Sequence, residues 1–434
     1  MSALSYPQAS LRTRGMVAKS IIGDIACFII PAVAFLRVQV GGWLYATDLC
    51  LLIVLPFVVF RHRRWLQIKP IQITLWLGLL WLAAQVLTDI IRETPVEDYS
   101  RGWSKILLTV THFATVALLV RQSQRRFILY GAGLVLGGVL TFFVSPSFYA
   151  GDYPWKFGLG TPITILVCLI AGMLARRSRV AAVTLSAAIG SINLYLGYRS
   201  LGAVCAASAI YSYFQLSPQL ADKRLRKLQT VLTVAGLAAG VWGISAIYTR
   251  GVQSGWFGEE ALRKYEMQSS GDAGVLLGGR NEFLAAGSAI RDSPFIGHGS
   301  WAKDPKYKAI LYDRLAELGY RKMGPELESD VIPSHSYVFG AWVESGILGA
   351  VFWCWVLWLI GSALIRASGR EPLFPFFAFI ALLLMWDVLF SPYGAGERFT
   401  ATYFVYAMIL FGLHSQAQNR AQAYEKSFHR NHLV

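Results

Sequence analysis

The chain has 434 residues, of which 55% are apolar, 14% aromatic and only 15% charged, with a formal net charge of +15. Its continuous apolar runs, each long enough for about 30 Å of hydrocarbon, exclude an ordinary soluble domain and favour membrane helices over the alternating strands of an outer-membrane barrel. The basic residues are scattered among short loops and form no single face, which excludes nucleic acid as a partner.

The first twenty residues are polar, carry Arg12, Arg14 and Lys19, and lead into an apolar run without a cleavable signal peptide. Twelve spans follow, at 21–38, 41–60, 71–91, 104–120, 127–144, 160–175, 180–198, 201–216, 229–249, 337–360, 372–390 and 399–414; those at 160–175 and 201–216 are short. With both termini cytoplasmic, the inner loops are those at Arg61–Arg64, Arg121–Arg126, Arg176–Arg179, Lys223–Lys227 and Arg366–Arg370. Together with the tails, the inner segments carry 22 Lys and Arg, whereas the loop 250–335 has 11 Lys and Arg against 12 Asp and Glu. That bias satisfies the positive-inside rule and makes the net charge a topology signal. The expected fold is therefore an all-α polytopic membrane protein. Its layout is a cytoplasmic tail at 1–20, helices one to nine over 21–249, a mostly helical periplasmic insert at 250–335, helices ten to twelve over 336–414, and a cytoplasmic tail at 415–434.

Within the insert, Glu259/Arg263 and Glu260/Lys264 are opposite charges at four-residue spacing, which supports a short helix. Phe283, Leu284 and Ile290 recur on one face from about Gly279 to Arg291, until Asp292-Ser293-Pro294 stops the pattern. Asp304-Pro305 then starts a second helix that Gly319 ends. Apolar stripes on short helices predict a cap on the mouth of the bundle; a small self-contained globule is the alternative.

All five cysteines (Cys27, Cys50, Cys168, Cys205, Cys354) fall inside predicted spans, so neither a disulfide framework nor a thiolate metal site is expected. There is no phosphate-binding Gly-rich loop with Lys-Ser/Thr, no His-Glu-x-x-His, and no evident carboxylate cluster in the insert; no metal or cofactor is expected.

A few polar residues can carry chemistry. Arg199 lies at the tight outer junction of the seventh and eighth spans, where its planar fork suits a diphosphate, or else snorkels to lipid or caps a helix. Arg280 follows Gly278-Gly279 at a helix start, a setting for an oxyanion, or for a surface ion pair with Glu282. His335, between Ser334 and Ser336 where the insert re-enters the membrane, is the natural base near neutral pH, or a helix cap. Within spans, Asp24, Asp48, Glu344 and Asp387 each cost about 2.5–3.5 kcal/mol and need partners. Glu344 lies nine residues after His335, about 180° round a continuous helix. An interhelical bridge is thus favoured for Glu344. Asp387 either orients a catalytic group or holds the bundle. His298, in Gly297-His298-Gly299, suits a tight turn. Asp387, Glu344 and His298 stand as supporting candidates behind Arg199, Arg280 and His335.

Three stretches in this order resemble the O-antigen ligase/polymerase superfamily of bacterial inner membranes. They are Tyr198-Arg199-Ser200-Leu201-Gly202; Arg280-Asn281-Glu282-Phe283-Leu284 followed by Arg291 to Gly299; and Ser334-His335-Ser336 with Glu344 to Gly349. The twelve-span layout with a long outer loop between spans nine and ten is similar as well. Tyr198-Arg199-Ser200 departs from the Ser-Arg-Gly-like string more usual there, which loosens the match at Arg199. The resemblance implies a metal-independent, inverting glycosyltransferase of the C-type fold. Its donor is a glycan on undecaprenyl diphosphate and its acceptor a sugar hydroxyl at the periplasmic face. Arg199 and Arg280 would hold the diphosphate and His335 would act as general base. A polymerase of O-antigen or exopolysaccharide, with a chain-length regulator as partner, is favoured over a ligase acting on lipid A-core. A lipid-linked oligosaccharide flippase is the reading from another class, but such a transporter should carry paired charges near the bilayer midplane.

Overall fold

Helices dominate because nearly every long apolar run must satisfy its own backbone hydrogen bonds. A computed structural model of the chain describes residues 21–216, 249–255, 259, 262, 265–266, 282–319, 330–367, 371 and 373–431. Its helices are α1 Ile21–Ala32, α2 Ala46–His62, α3 Lys69–Ile91, α4 Val96–Val120, α5 Gln124–Val144, α6 Gly160–Leu174, α7 Arg179–Tyr195 and α8 Arg199–Leu216. Beyond these come α9 Glu282–Asp292, α10 Pro305–Glu317, α11 Tyr337–Ser345, α12 Ile347–Arg366, α13 Phe374–Phe390 and α14 Glu397–Asn431. Among the described residues, five helical stretches are long and apolar enough to cross a membrane: Lys69–Ile91, Val96–Val120, Gln124–Val144, Trp155–Leu174 and Ile347–Arg366. Ile21–Phe35 and Phe374–Phe390 are shorter apolar helices.

Sequence explains which helix lies where. In α13 the run Phe374 to Leu384 has no polar face, and Phe376, Phe377 and Phe379 are fully buried at the centre of the bundle. α13 packs on α6, α8, α12 and α14, while α4 lies between α2, α3 and α14. Outer helices present Phe57, Trp76 and Val180 to the surroundings, as lipid-facing helices do. Helix starts follow capping chemistry. The Ser123, Ser178 and Ser336 hydroxyls accept from the amides of Arg126, Ala181 and Phe339, and Asp304 accepts from Lys306 ahead of Pro305.

Four expectations about spans need correction or bounding. The second span, predicted from 41, starts as a helix only at Ala46. Before it, Arg37–Val40 and Gly42–Tyr45 pair as an antiparallel hairpin (β1 and β2) turning at Gly41, whose φ is +67°. The tenth span, 337–360, is two helices broken at Gly346, where φ is +68° and ψ is −165°. The 180° separation of His335 and Glu344 on one continuous helix does not apply either, because His335 precedes the extended N-cap Ser336 and lies outside α11. The last span, 399–414, lies within a longer helix, α14, that starts at Glu397 and continues through the predicted tail to Asn431. The ninth, 229–249, and the helix around 259–264 lie almost entirely outside the described residues.

The break at Gly346 serves a docking clamp. Pro294 and Phe295 run close beside it, the Ile347 amide donates to the Pro294 carbonyl at 3.0 Å, and a Cβ at Gly346 would collide with the Phe295 carbonyl. His298 and Gly299 amides donate to the carbonyls of Val343 and Glu344. Asp89 of α3 accepts from the Ser300 amide at 2.6 Å, the Ser300 hydroxyl at 2.7 Å and the Trp103 indole at 2.8 Å. Arg92 donates to the Gly297 carbonyl at 2.9 Å. Segment 292–300 is thus bolted to α3 and to the α11–α12 break by buried polar groups. Beside it, α9 and α10 bury Ala285, Ala286, Ala289, Tyr307, Leu311 and Leu315 in a small core that includes Val343 of α11. The short helices form a cap seated on the bundle.

Candidate functional site

The site begins with a hydrogen bond between distant segments. Ser336, the N-cap of α11, donates its hydroxyl to the Val388 carbonyl of α13 at 2.9 Å. That bond lies one residue from His335 and one from Asp387, and it brings both to the same cavity of about 610 Å³. Asp387 accepts from the Ser391 hydroxyl at 2.8 Å. Glu397, at the start of α14, lines the cavity too and caps the Gly394 amide at 3.1 Å. Lys156, Tyr198 and Ser200 line the same cavity.

His335 is held by a partner that sequence reading did not assign to the site. Its Nδ1 lies 3.1 Å from Glu282 Oε1, the first residue of α9, and the other carboxylate oxygen of Glu282 is buried without a hydrogen-bond partner. A carboxylate on Nδ1 orients the ring and leaves Nε2 as the second nitrogen for proton transfer. Arg280 lies outside the described residues, two positions before Glu282. Arg199 opens α8 between Tyr198 and Ser200, both cavity-lining, but is not itself in the lining. Gly190 and Gly202 let α7 and α8 approach closely: a Cβ on Gly202 would run into Leu194, and one on Gly190 into Cys205. Gly197, with φ +79°, makes the turn that presents Tyr198-Arg199.

Two supporting candidates are placed elsewhere. Glu344 takes an ammonium hydrogen bond from Lys105 of α4 at 2.6 Å, and His298 Nε2 meets the Ala289 carbonyl at 2.8 Å. Neither lines the cavity; both belong to the clamp, where the His298 and Gly299 amides pair with the Val343 and Glu344 carbonyls. Reading the sequence also missed Lys156 and Glu397. Lys156 sits in a π-helical turn, Trp155–Leu159, ahead of α6, a geometry that often marks functional positions. Its aromatic surroundings, Trp155 and Phe157, were the available signal. Glu397 looked like an ordinary first-turn carboxylate.

Behind the cavity is a buried charge cluster. Asp48 of α2 receives Arg398 of α14 through Nε at 3.0 Å and a second, shorter bond from Nη2, and His112 Nε2 of α4 lies 2.8 Å from Asp48. All three are essentially excluded from solvent. Arg398 directly follows Glu397, so the cluster fixes this end of α14 at the cavity wall.

Chemically, the cavity lining offers an oriented imidazole, carboxylates able to receive hydroxyl groups, a cation and hydroxyls. That suits a substrate with both sugar and anionic parts.

No family model and no curated protein matches this chain. The site's geometry therefore carries the functional argument.

Proposed function

We propose that the protein is a membrane glycosyltransferase that moves a glycan from undecaprenyl diphosphate to a sugar hydroxyl at the periplasmic face, in the manner of the O-antigen ligase/polymerase superfamily. The observation that carries this reading is the His335–Glu282 pair at a cavity that Asp387, Glu397 and Lys156 also line. In this reading His335 Nε2 takes the proton of the acceptor hydroxyl as its oxygen attacks the anomeric carbon from the face opposite the diphosphate. The new C–O bond forms as the bond to the diphosphate oxygen breaks. Undecaprenyl diphosphate leaves with the electron pair, and the configuration inverts. Arg280, Arg199 and Lys156 offset the developing charge on the leaving group. Asp387 and Glu397 accept hydrogen bonds from sugar hydroxyls. Extension of one lipid-linked glycan by another, the polymerase reaction, is the favoured acceptor chemistry, and transfer to lipid A-core is the ligase form.

The test uses purified full-length chain in lipid, with an undecaprenyl-diphosphate glycan and an acceptor. Release of undecaprenyl diphosphate with a new glycosidic bond is expected, and His335→Ala should cut that rate by about 10²–10⁴-fold. Longer lipid-linked chains identify a polymerase, and glycosylated lipid A-core a ligase. Movement of the lipid-linked glycan across the bilayer without bond formation would replace the transferase with a transporter.

A further inference from the structure

A second built site lies at the other end of the bundle. α2 runs from Asp48, bonded beside the His335 cavity, to Arg61-His62, about 20 Å away at helical rise. There, a recess of about 470 Å³ is lined by Arg61, His62, Arg63, Arg64, Trp65 and Arg121, with Phe60 at its edge. Nearby arginines have a carboxylate: Arg125 and Arg126 each reach Asp24 at 3.0 Å. Among the described residues, none of Arg61, Arg63, Arg64 or Arg121 makes an ion pair. Among the described residues, Arg121 Nε is buried with no acceptor, and its Nη1 lies 3.3 Å from His62 Nδ1.

The recess is rigid as well as basic. The Tyr406 hydroxyl of α14 donates to the Arg121 carbonyl at 2.7 Å and receives the Trp65 indole N–H at 3.1 Å. One side chain thus locks two walls. Arg121 holds this position at a backbone φ of +49°, a conformation that a non-glycine residue adopts at a cost. Four arginines lining one recess with no carboxylate partner among the described residues repel one another, and a bidentate anion relieves that repulsion while filling the unmet donors. Trp65 and Phe60, the latter 91% exposed, add the aromatic border usual at a membrane surface.

We infer that this recess binds a phosphate group, presented by an anionic phospholipid headgroup or as soluble phosphate. The inference stands on residues remote from the His335 cavity and does not rest on the transferase reading.

The test places the full-length chain in phosphatidylcholine nanodiscs with and without cardiolipin, and separately in detergent with inorganic phosphate. Thermal stability and bound lipid by native mass spectrometry are the readouts. Cardiolipin retention and stabilisation in the unaltered chain, weakened about tenfold or more in Arg63→Gln/Arg121→Gln and unchanged in the exposed control Arg177→Gln, supports a lipid headgroup. Stabilisation by inorganic phosphate alone, lost in the same variant, supports the soluble anion. Should Arg121→Gln impair folding, Arg61→Gln/Arg63→Gln, which changes only exposed side chains, serves instead. No response to either anion, or equal binding in the recess variants and the control, overturns the inference.

Discussion

At His335 the two ring nitrogens differ: Nδ1 meets Glu282 at 3.1 Å, and the proposed reaction uses Nε2. Glu282→Ala removes the orienting carboxylate and should lower kcat for glycan transfer by roughly tenfold or more with little change in KM, because the ring loses its aim rather than its chemistry. Unchanged turnover in that variant would remove Glu282 from the mechanism. Arg280→Lys keeps charge but loses the planar fork, so transfer should fall well below the level of the unaltered protein; full activity would exclude Arg280 from the diphosphate site. His335 and Asp387 were legible in the sequence because polar residues at the ends of apolar spans are costly there. Glu282 was not, since nothing local distinguishes a carboxylate facing a histidine 53 positions away from one facing water.

At the level of elements, the clamp decides where the cap sits. Gly346 occupies backbone space that an L-residue rarely enters, and Gly346→Ala would also drive a methyl group into the Phe295 carbonyl. A loss of about 1–3 kcal/mol or more is expected, read as a lowered Tm and faster proteolysis between 292 and 300. A milder effect should accompany low pH at the edge of the cap. Hydrogen bonds from Lys306 and then Tyr307 hold the Asp292 carboxyl below its ordinary range, while Asp292 raises the Lys306 ammonium in turn. A depressed carboxylate pKa contributes stability above the unfolded-state value, and that contribution is lost as pH falls through the folded-state value. Hydrogen exchange across α10 should therefore quicken on acidification below the usual carboxylate range, and Asp292→Asn should abolish the pH dependence. Helix α10 was readable from Asp304-Pro305 and its apolar spacing. The Gly346 break was not, because Glu344 and Ser345 are flanked by apolar residues on both sides, and a single glycine there is compatible with one continuous span.

Across the whole molecule, Asp48, Arg398 and His112 tie the ends of α2 and α14 to α4 beneath the cavity. Asp48→Asn leaves a buried guanidinium without its counter-charge and should cost about 3–5 kcal/mol, whereas Asp48→Leu/Arg398→Met should recover much of the loss. Denaturation of the purified chain measures both; a single variant as stable as the unaltered protein would deny the pair any structural part. The two ends of the bundle should also face opposite compartments. In a Cys354→Ser background, Lys306→Cys should react with a membrane-impermeant maleimide in intact cells, and Arg64→Cys only after permeabilisation. The reverse pattern would invert the assigned orientation.

Length of apolar run, loop charge and capping residues are local quantities, and they sufficed to locate the five helical stretches long and apolar enough to cross a membrane, two short helices beside the bundle and the polar residues worth testing. Which of those residues meet was beyond them. His298 and Glu344 stand in the sequence as supporting candidates behind His335, and backbone pairing at Pro294–Ile347 and the Lys105 ammonium take them into the clamp. His335 and Asp387 line one cavity where the Ser336 hydroxyl reaches across 52 positions to Val388. The rotation of each helix about its axis and the course of the chain between helices set such encounters. Both depend on the packing of the whole bundle rather than on any one segment.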